Sequence, residues 1–420
     1  MSPMARITLM FVVFVDLIGQ GLVFPIINAM LMQPQSGFLP ADTSTAMRHV
    51  DYGLVIGAFF LAWFLGVVYV AKLSDAIGRK RALLICLFGA LLGYAITILS
   101  VLLGSLWLLI LGRAITGFTA GNQPIAQAAM VDASRDAAER DRNMGYIITG
   151  VSMGLVGGPL IGAALSDARI MGDWATLSTP FIGAFVLVLI AIVLVAICFH
   201  DLRQQRQPFV FRAGDLIDSL MRVRQHPLVL RLLPVYALFM ISNVTFYIFI
   251  DNYLSAAFGY GITGGSVAML VIGAALALSS TFGVAPMQAR LNKRRIVGIS
   301  LGLMLMSVLA FVALDSAWLV FVPPFVFYAL FGVSYPTLLG LFSSAVGEAE
   351  QGWVMGVTTA VFCLAGGVMS LAGGGLMAVD IRLPFYISAG MAAAGLVLLL
   401  TTWRRADIRA ITGRPGSDQS

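Results

Sequence analysis

Hydrophobic residues in this sequence fall in long unbroken blocks, and polar residues collect between the blocks. Twelve blocks cover approximately 6–30, 51–71, 82–103, 105–131, 144–165, 178–199, 228–254, 264–286, 296–314, 317–344, 353–375 and 384–403. Each is close to the ~20 residues that a helix needs to cross a bilayer. A segment surrounded by lipid can satisfy its backbone alone only by coiling, so each block predicts an α-helix. The alternating segments of ~10 residues that mark a transmembrane barrel do not occur in the sequence. The pattern predicts an all-α membrane protein with twelve transmembrane helices.

Composition strengthens that picture. Of 420 residues, 59% are hydrophobic and only 11% are charged, with mean hydropathy +0.93. A soluble domain carries ~25% charge, so the lipid bilayer has to be the solvent for most of this chain. The net charge of +6 would suit a nucleic-acid binder if it formed one patch. Its distribution points elsewhere. With the N-terminus placed inside, the inward segments hold 22 of the 26 Lys and Arg, the outward ones hold Arg48, Arg169 and Arg382, and Arg113 lies within a block. That bias predicts both termini in the cytoplasm and no nucleic-acid partner. The first block follows a single basic residue, Arg6, and is too long for a signal peptide, so it predicts a retained span. Cys86, Cys198 and Cys363 show neither a disulfide framework nor metal spacing. His49, His200 and His226 all fall outside the blocks, so none reads as a buried ligand. No metal or cofactor is predicted.

The longest break, 200–227, is basic, and Leu216, Ile217, Leu220 and Met221 share one face of a helix, opposite Asp215, Asp218 and Arg222. It reads as a cytoplasmic linker with a short interfacial helix, between bundles of six helices at 1–199 and 228–420. A faint internal repeat supports two halves. Val70-Ala71-Lys72-Leu73-Ser74-Asp75 through Arg81 follows the second block, and Val284-Ala285-Pro286-Met287-Gln288 through Arg295 follows the eighth.

Leu73-Ser74-Asp75-Ala76-Ile77-Gly78-Arg79-Lys80-Arg81 resembles the signature between helices 2 and 3 of the major facilitator superfamily. The resemblance implies the major facilitator fold and a gate built from Asp75, Gly78 and Arg79. In that gate Gly78 makes a tight turn and Arg79 bridges to the other half in one conformation. The family's first glycine is Ala71 here. Helix 4 carries Arg113, Gly117 and Gly121, and helix 5 carries Gly154, Gly158, Pro159 and Gly162. These resemble motifs of the drug/proton antiporters, in particular the tetracycline-efflux branch. Arg113 is then implicated in proton coupling, although an Arg near the end of a span can also be structural and reach the surface. The resemblance extends through Gly158-Pro159-Leu160-Ile161-Gly162, Tyr335-Pro336-Thr337-Leu338-Leu339-Gly340 and Gln351-Gly352. It departs where that branch carries acids in helices 3 and 9, the places taken here by Gly93 and Met304, which puts tetracycline itself in doubt.

Asp16, in Asp-x-x-Gly-x-Gly-Leu-x-x-Pro, sits about ten residues into the first block, ~15 Å along a helix. It reads as the one carboxylate near midplane and so as the proton carrier, the alternative being a helix-packing Asp bonded to a neighbour's backbone. Amides and a phenol in the blocks must find partners or line a cavity. Gln20, Asn122, Gln123, Gln127, Asn243 and Tyr247 are therefore candidate substrate contacts, Pro124 being a candidate kink, with Asp251 ranked below Asp16. The sequence thus predicts a proton antiporter exporting a small organic molecule or drug by alternating access. It would be a monomer in a bacterial-type inner membrane, with no chemistry catalysed. Proton-coupled uptake of a polar nutrient, an amino acid or a siderophore, is the alternative, favoured by the helix 4 amides. A channel would call for pore-lining rings. An intramembrane enzyme would call for a nucleophile with its base or a metal set.

Overall fold

The computed structural model describes residues 2–201, 214–347 and 350–403, without the side chains of Gln20, Ala137, Ala138 and Asp141. The described residues form helices α1 (Pro3–Met32), α2 (Thr45–Ile77), α3 (Arg79–Leu103), α4 (Leu106–Phe118), α5 (Asn122–Asp132), α6 (Ala137–Ser166), α7 (Ala168–Met171) and α8 (Thr179–Cys198). After these come α9 (Asp215–Met221), α10 (Pro227–Phe258), α11 (Ile262–Leu278), α12 (Val284–Arg290), α13 (Lys293–Ala313), α14 (Val322–Ser344), α15 (Gln351–Val379) and α16 (Leu383–Thr402). A π turn over Ser279–Gly283 joins α11 to α12 in one crossing. Among the described residues eleven helical stretches are long and apolar enough to span a membrane. The predicted fourth span is not one helix: it breaks after Phe118 and resumes at Asn122, as α4 and α5.

Polar caps set where several helices begin. Ser2, Ser44, Ser105, Asp136 and Asn292 each accept a backbone N–H from the first turn of α1, α2, α4, α6 and α13. Ser44 starts α2 six residues before the apolar block does, which corrects the reading of His49. His49 lies inside α2 and is buried, with Arg48 and Asp51. Arg48 folds the preceding loop back by donating to the carbonyls of Leu31, Pro40 and Thr43 at 2.9, 3.0 and 3.2 Å.

α1 packs between α6 and α8, α2 and α3 pack on α4, and α3 also meets α8. The later helices form a second set, with α10 on α15 and α16, α13 on α14 and α16, and α11 on α14. The sets meet mainly along α2 with α15 and α6 with α11. The ends at Met32 and Thr45 are called here the far side, and the opposite ends the linker side. On the far half of α2, glycines bring backbones together. A methyl at Gly53 would lie 2.4 Å from the Ser370 carbonyl, and one at Gly374 would lie 2.6 Å from the His49 carbonyl. Towards the linker side the same seam is aromatic, Phe60 and Trp63 meeting Phe362 at 5.8 and 5.7 Å.

On the linker side α9 is a short helix whose apolar residues divide, Ile217 and Met221 being exposed and Leu216 buried. Asp215, expected on the polar outer face, is instead buried and pairs with Lys72 of α2 at 2.8 Å. The other end of α9 reaches α15, where Trp353 Nε1 donates to the Ser219 carbonyl at 3.0 Å. Linker residues 202–213 and the tail 404–420 lie outside the described residues.

Candidate functional site

Asp16 stands in the middle of α1, half-buried, where α1 faces the break between α4 and α5. Asn122, the first residue of α5, donates its Nδ2 to Asp16 Oδ1 at 3.2 Å. The Gln123 backbone N–H is directed at the same carboxylate. A helix N-terminus presents amide donors and the positive end of the helix dipole, so it favours an ionised acceptor. Asp16 is thus bonded to the side chain that opens α5.

It also borders space. A cavity of about 30 Å³ is lined by Asp16 and Gly19 of α1, Tyr94 of α3, Arg113 and Thr116 of α4, and Asn122. That is room for a water molecule or two among polar groups. The cavity lies among the helices of the first set. It is not a cleft between the two sets. Gly19 makes room for Tyr94, whose hydroxyl would be 2.3 Å from a methyl there. Tyr94 escaped the sequence reading, although it is the one phenol in the block at 82–103.

Arg113 is buried, with its guanidinium carbon 4.3 Å above the centre of the Phe59 ring. This placement excludes the surface-reaching alternative. A desolvated cation over an aromatic face is held by ~2 kcal/mol or more. Gly117 sets α4 directly on α2, since a methyl there would fall 2.1 Å from the Phe59 carbonyl. The glycines of α6 do the same for α1. Methyl groups at Gly150 and Gly154 would lie 2.6 Å from the Met10 carbonyl and 2.8 Å from that of Phe14. Gly158 and Pro159 are buried in the same helix, and Gly162 touches Leu22. Gly93 explains why an acid has no place in α3, because even a methyl would lie 2.1 Å from Thr116 Oγ1. Met304 is fully buried among apolar neighbours.

The remaining candidates separate. Asn243 and Tyr247 share a face of α10 with Asp251 at four-residue steps, and this face meets α1. The Tyr247 ring packs edge-on against Phe24 with centroids 5.1 Å apart, and Asn28 Nδ2 donates to the Asp251 carbonyl at 3.4 Å. Asp251 is buried against α11, where its Oδ1 would touch a methyl at Gly265 at 1.9 Å. Asp251 is therefore the more deeply buried of the two acids. Gln123 and Gln127 are half-buried and do not line the cavity. The Gln20 side chain lies outside the described residues.

Gly78 makes the predicted turn, with φ +96° between α2 and α3. Arg79 does not bridge the two sets in this conformation. Its Nη1 meets Asp75 at 2.9 Å and Ser74 at 2.8 Å, and its Nε meets Asp132, the last residue of α5, at 2.9 Å. Also on the linker side, Arg6 pairs with Glu139. The Arg135 backbone N–H and then the Arg6 guanidinium hold the Glu139 carboxyl below the usual glutamate range.

Known proteins fit this architecture. The sequence profile described as Major Facilitator Superfamily matches residues 9–370 and again 232–418. The class C tetracycline resistance protein of Escherichia coli is 26% identical over 370 residues, 86% of this chain and 87% of that protein. The quinolone resistance protein NorA of Staphylococcus aureus is 22% identical over 397 residues, 93% of this chain and 95% of that one. Among solved structures, the human organic anion transporter MFSD10 (TETRAN) superposes with a TM-score of 0.71 at 20% identity, covering 95% of this chain and all (100%) of that one. A D-xylose–proton symporter superposes with 0.72 at 14% identity over 96% and 98% of the two chains. With the matched profile spanning most of its length and the same fold in these transporters, the chain belongs to the Major Facilitator Superfamily as a multi-pass membrane protein.

Proposed function

We propose that this protein is a proton antiporter that exports small aromatic organic molecules, of the tetracycline or quinolone kind, across a bacterial inner membrane. The observation that carries the reading is the half-buried carboxylate of Asp16 on a water-sized polar cavity beside Arg113. A carboxyl reached by water yet held in a low-dielectric interior can change protonation as its surroundings change. The resistance proteins matched over more than four-fifths of the chain support the export direction and the cargo class.

The transport cycle follows from the seams. Bundles 1–199 and 228–420 rock about their interface, with 200–227 as the tether, and each monomer encloses its own path. The far-side seam is closed, with Gly53 on Ser370 and Asn28 on Asp251. The basic linker side is the cytoplasmic side, and both termini lie there. Asp75 and Arg79 gate that side. Uptake of a polar nutrient drew support from the helix 4 amides, but the Asn122 amide is engaged by Asp16.

The test uses inverted membrane vesicles with an imposed acid interior and fluorescent tetracycline or quinolone as the probe. An exporter accumulates probe inside the vesicles, and a proton ionophore abolishes the accumulation. Outward movement of probe on acidification would reverse the direction. No movement of either drug would remove the cargo class.

A further inference from the structure

The two halves of the broken span meet where Asp16 sits, and the chemistry of the break is specific. Bonds of the helical kind stop at Thr119 N–H to the Ile115 carbonyl (3.2 Å) and resume at Ile125 N–H to the Gly121 carbonyl (3.2 Å). Pro124 has no N–H. The backbone donors left between these points, beyond the tight contacts of Ala120 to Gly117 and Gly121 to Thr119, are those of Asn122 and Gln123. In an unbroken helix they would bond the carbonyls of Phe118 and Thr119. Here the Phe118 carbonyl rests against Gly66, where a methyl would sit 2.2 Å away, and the Gln123 N–H faces Asp16.

We propose that the α4–α5 break is a proton-operated hinge, in which the ionised Asp16 carboxylate caps α5 and its protonation frees α5 to turn. Asn122 is then a positioning residue for the proton site, not a substrate contact. The inference rests on Asp16 being the coupling acid. An ionised carboxylate is the stronger acceptor for the Asn122 amide and the Gln123 N–H, and the favoured charge at a helix N-terminus. Protonation adds a hydrogen to one oxygen and weakens the Asn122 bond and the pull on the helix end without breaking a covalent bond. The titratable and charged groups that face Asp16 are Tyr94 and Cys86 of α3 and Arg113 of α4. The other end of α5 makes the hinge consequential. Asp132 is held by Arg79 at the linker-side gate, at the other end of the 11-residue helix and ~15 Å from its capped end. Turning α5 at Asp16 shifts Asp132 against Arg79.

Spin labels at positions 107 and 135, one on exposed Trp107 of α4 and one past the end of α5, report the hinge by pulsed electron resonance. The background has Cys86, Cys198 and Cys363 replaced. The expected result is a distance distribution that changes with pH. Asp16→Asn should fix it in its acid form at every pH. Asn122→Ala removes a donor to the charged form, so the midpoint should move to higher pH by about one unit, a tenfold gain in proton affinity. A distribution that ignores pH, or a midpoint unmoved in Asn122→Ala, overturns the hinge. Vesicle transport separates the two levels. If Asp16→Asn still exports drug under a proton gradient, the coupling reading fails. If it loses that export while the label distance of the parent chain ignores pH, only the hinge fails.

Discussion

Two carboxylates within the helices, one half-buried in the first half of the chain and one fully buried in the second, show what depth alone does not tell. Asp16 accepts from the Asn122 side-chain amide and borders a cavity that can hold water. Asp251 is buried in the far-side seam, pressed on Gly265, with Oδ2 lacking a hydrogen-bond partner. Both are costly to ionise in a medium of low dielectric. What sets Asp16 apart is the polar cavity beside it, with room for water to exchange a proton. The lesson is that the neighbours of an intramembrane acid decide whether it can cycle.

The sharpest way to break that contrast is to neutralise each acid in turn. Asp16→Asn should bring gradient-driven drug accumulation in inverted vesicles down to that of vesicles lacking the protein. Asp251→Asn should keep most of it and change thermal stability by no more than ~1 kcal/mol. Equal loss in both variants would erase the distinction. Next in size is the far-side seam of α2 on α15. Gly53→Val forces side-chain atoms onto the Ser370 carbonyl. Overpacking of that kind costs ~1–3 kcal/mol, which would shift the balance away from the closed far side by roughly 5–150-fold. Labelling of an introduced far-side cysteine by an impermeant maleimide measures that shift, and an unchanged rate would count against the closed seam described above.

Arg113→Lys sharpens the other side of the comparison. Lysine keeps the charge but cannot lay a planar guanidinium over Phe59. A loss of ~1–2 kcal/mol of stability should appear as earlier thermal unfolding in detergent. Full stability would mean that the ring contact holds nothing. The smallest effect belongs to Glu139. Its carboxyl is lowered in the folded state, so its stabilising contribution is complete above the ordinary glutamate range and lost as pH falls through the lowered value. Glu139→Gln should therefore cut thermal stability slightly at neutral pH and leave it unaltered in strong acid. A deficit that persisted in acid would place the effect elsewhere.

Much of this was legible as hydropathy. The apolar blocks locate the crossings because lipid forces each to be a self-satisfied helix, and Gly78, Gly117 and Gly154 do the work their spacing suggested. The break in the fourth span was not legible. Hydropathy sums side chains and is blind to which backbone bonds form, and Pro124 hinted at a bend without fixing it at 119–121. His49 was misplaced because an early Ser44 cap outweighed the polar residues after it. The partners of the polar face of α1 were not legible for a related reason. The four-residue spacing of Asp16, Gln20, Phe24 and Asn28 on α1, and of Asn243, Tyr247 and Asp251 on α10, is visible in the chain. Which neighbour each stretch of α1 faces depends on helix rotation and crossing, a tertiary property. The far part meets α10, whereas Asp16 meets α5.

The far-side closure of α2 on α15 is made largely of backbone against backbone, Gly53 on Ser370 and Gly374 on His49. Such a joint has few long side chains to immobilise when it shuts and few to release when it parts, so the entropy of rotamers hardly enters either step. Its strength is dispersion at close range, which fades over a fraction of an ångström. A small sideways displacement is then enough to unfasten it, and the same small residues can slide back into register without searching.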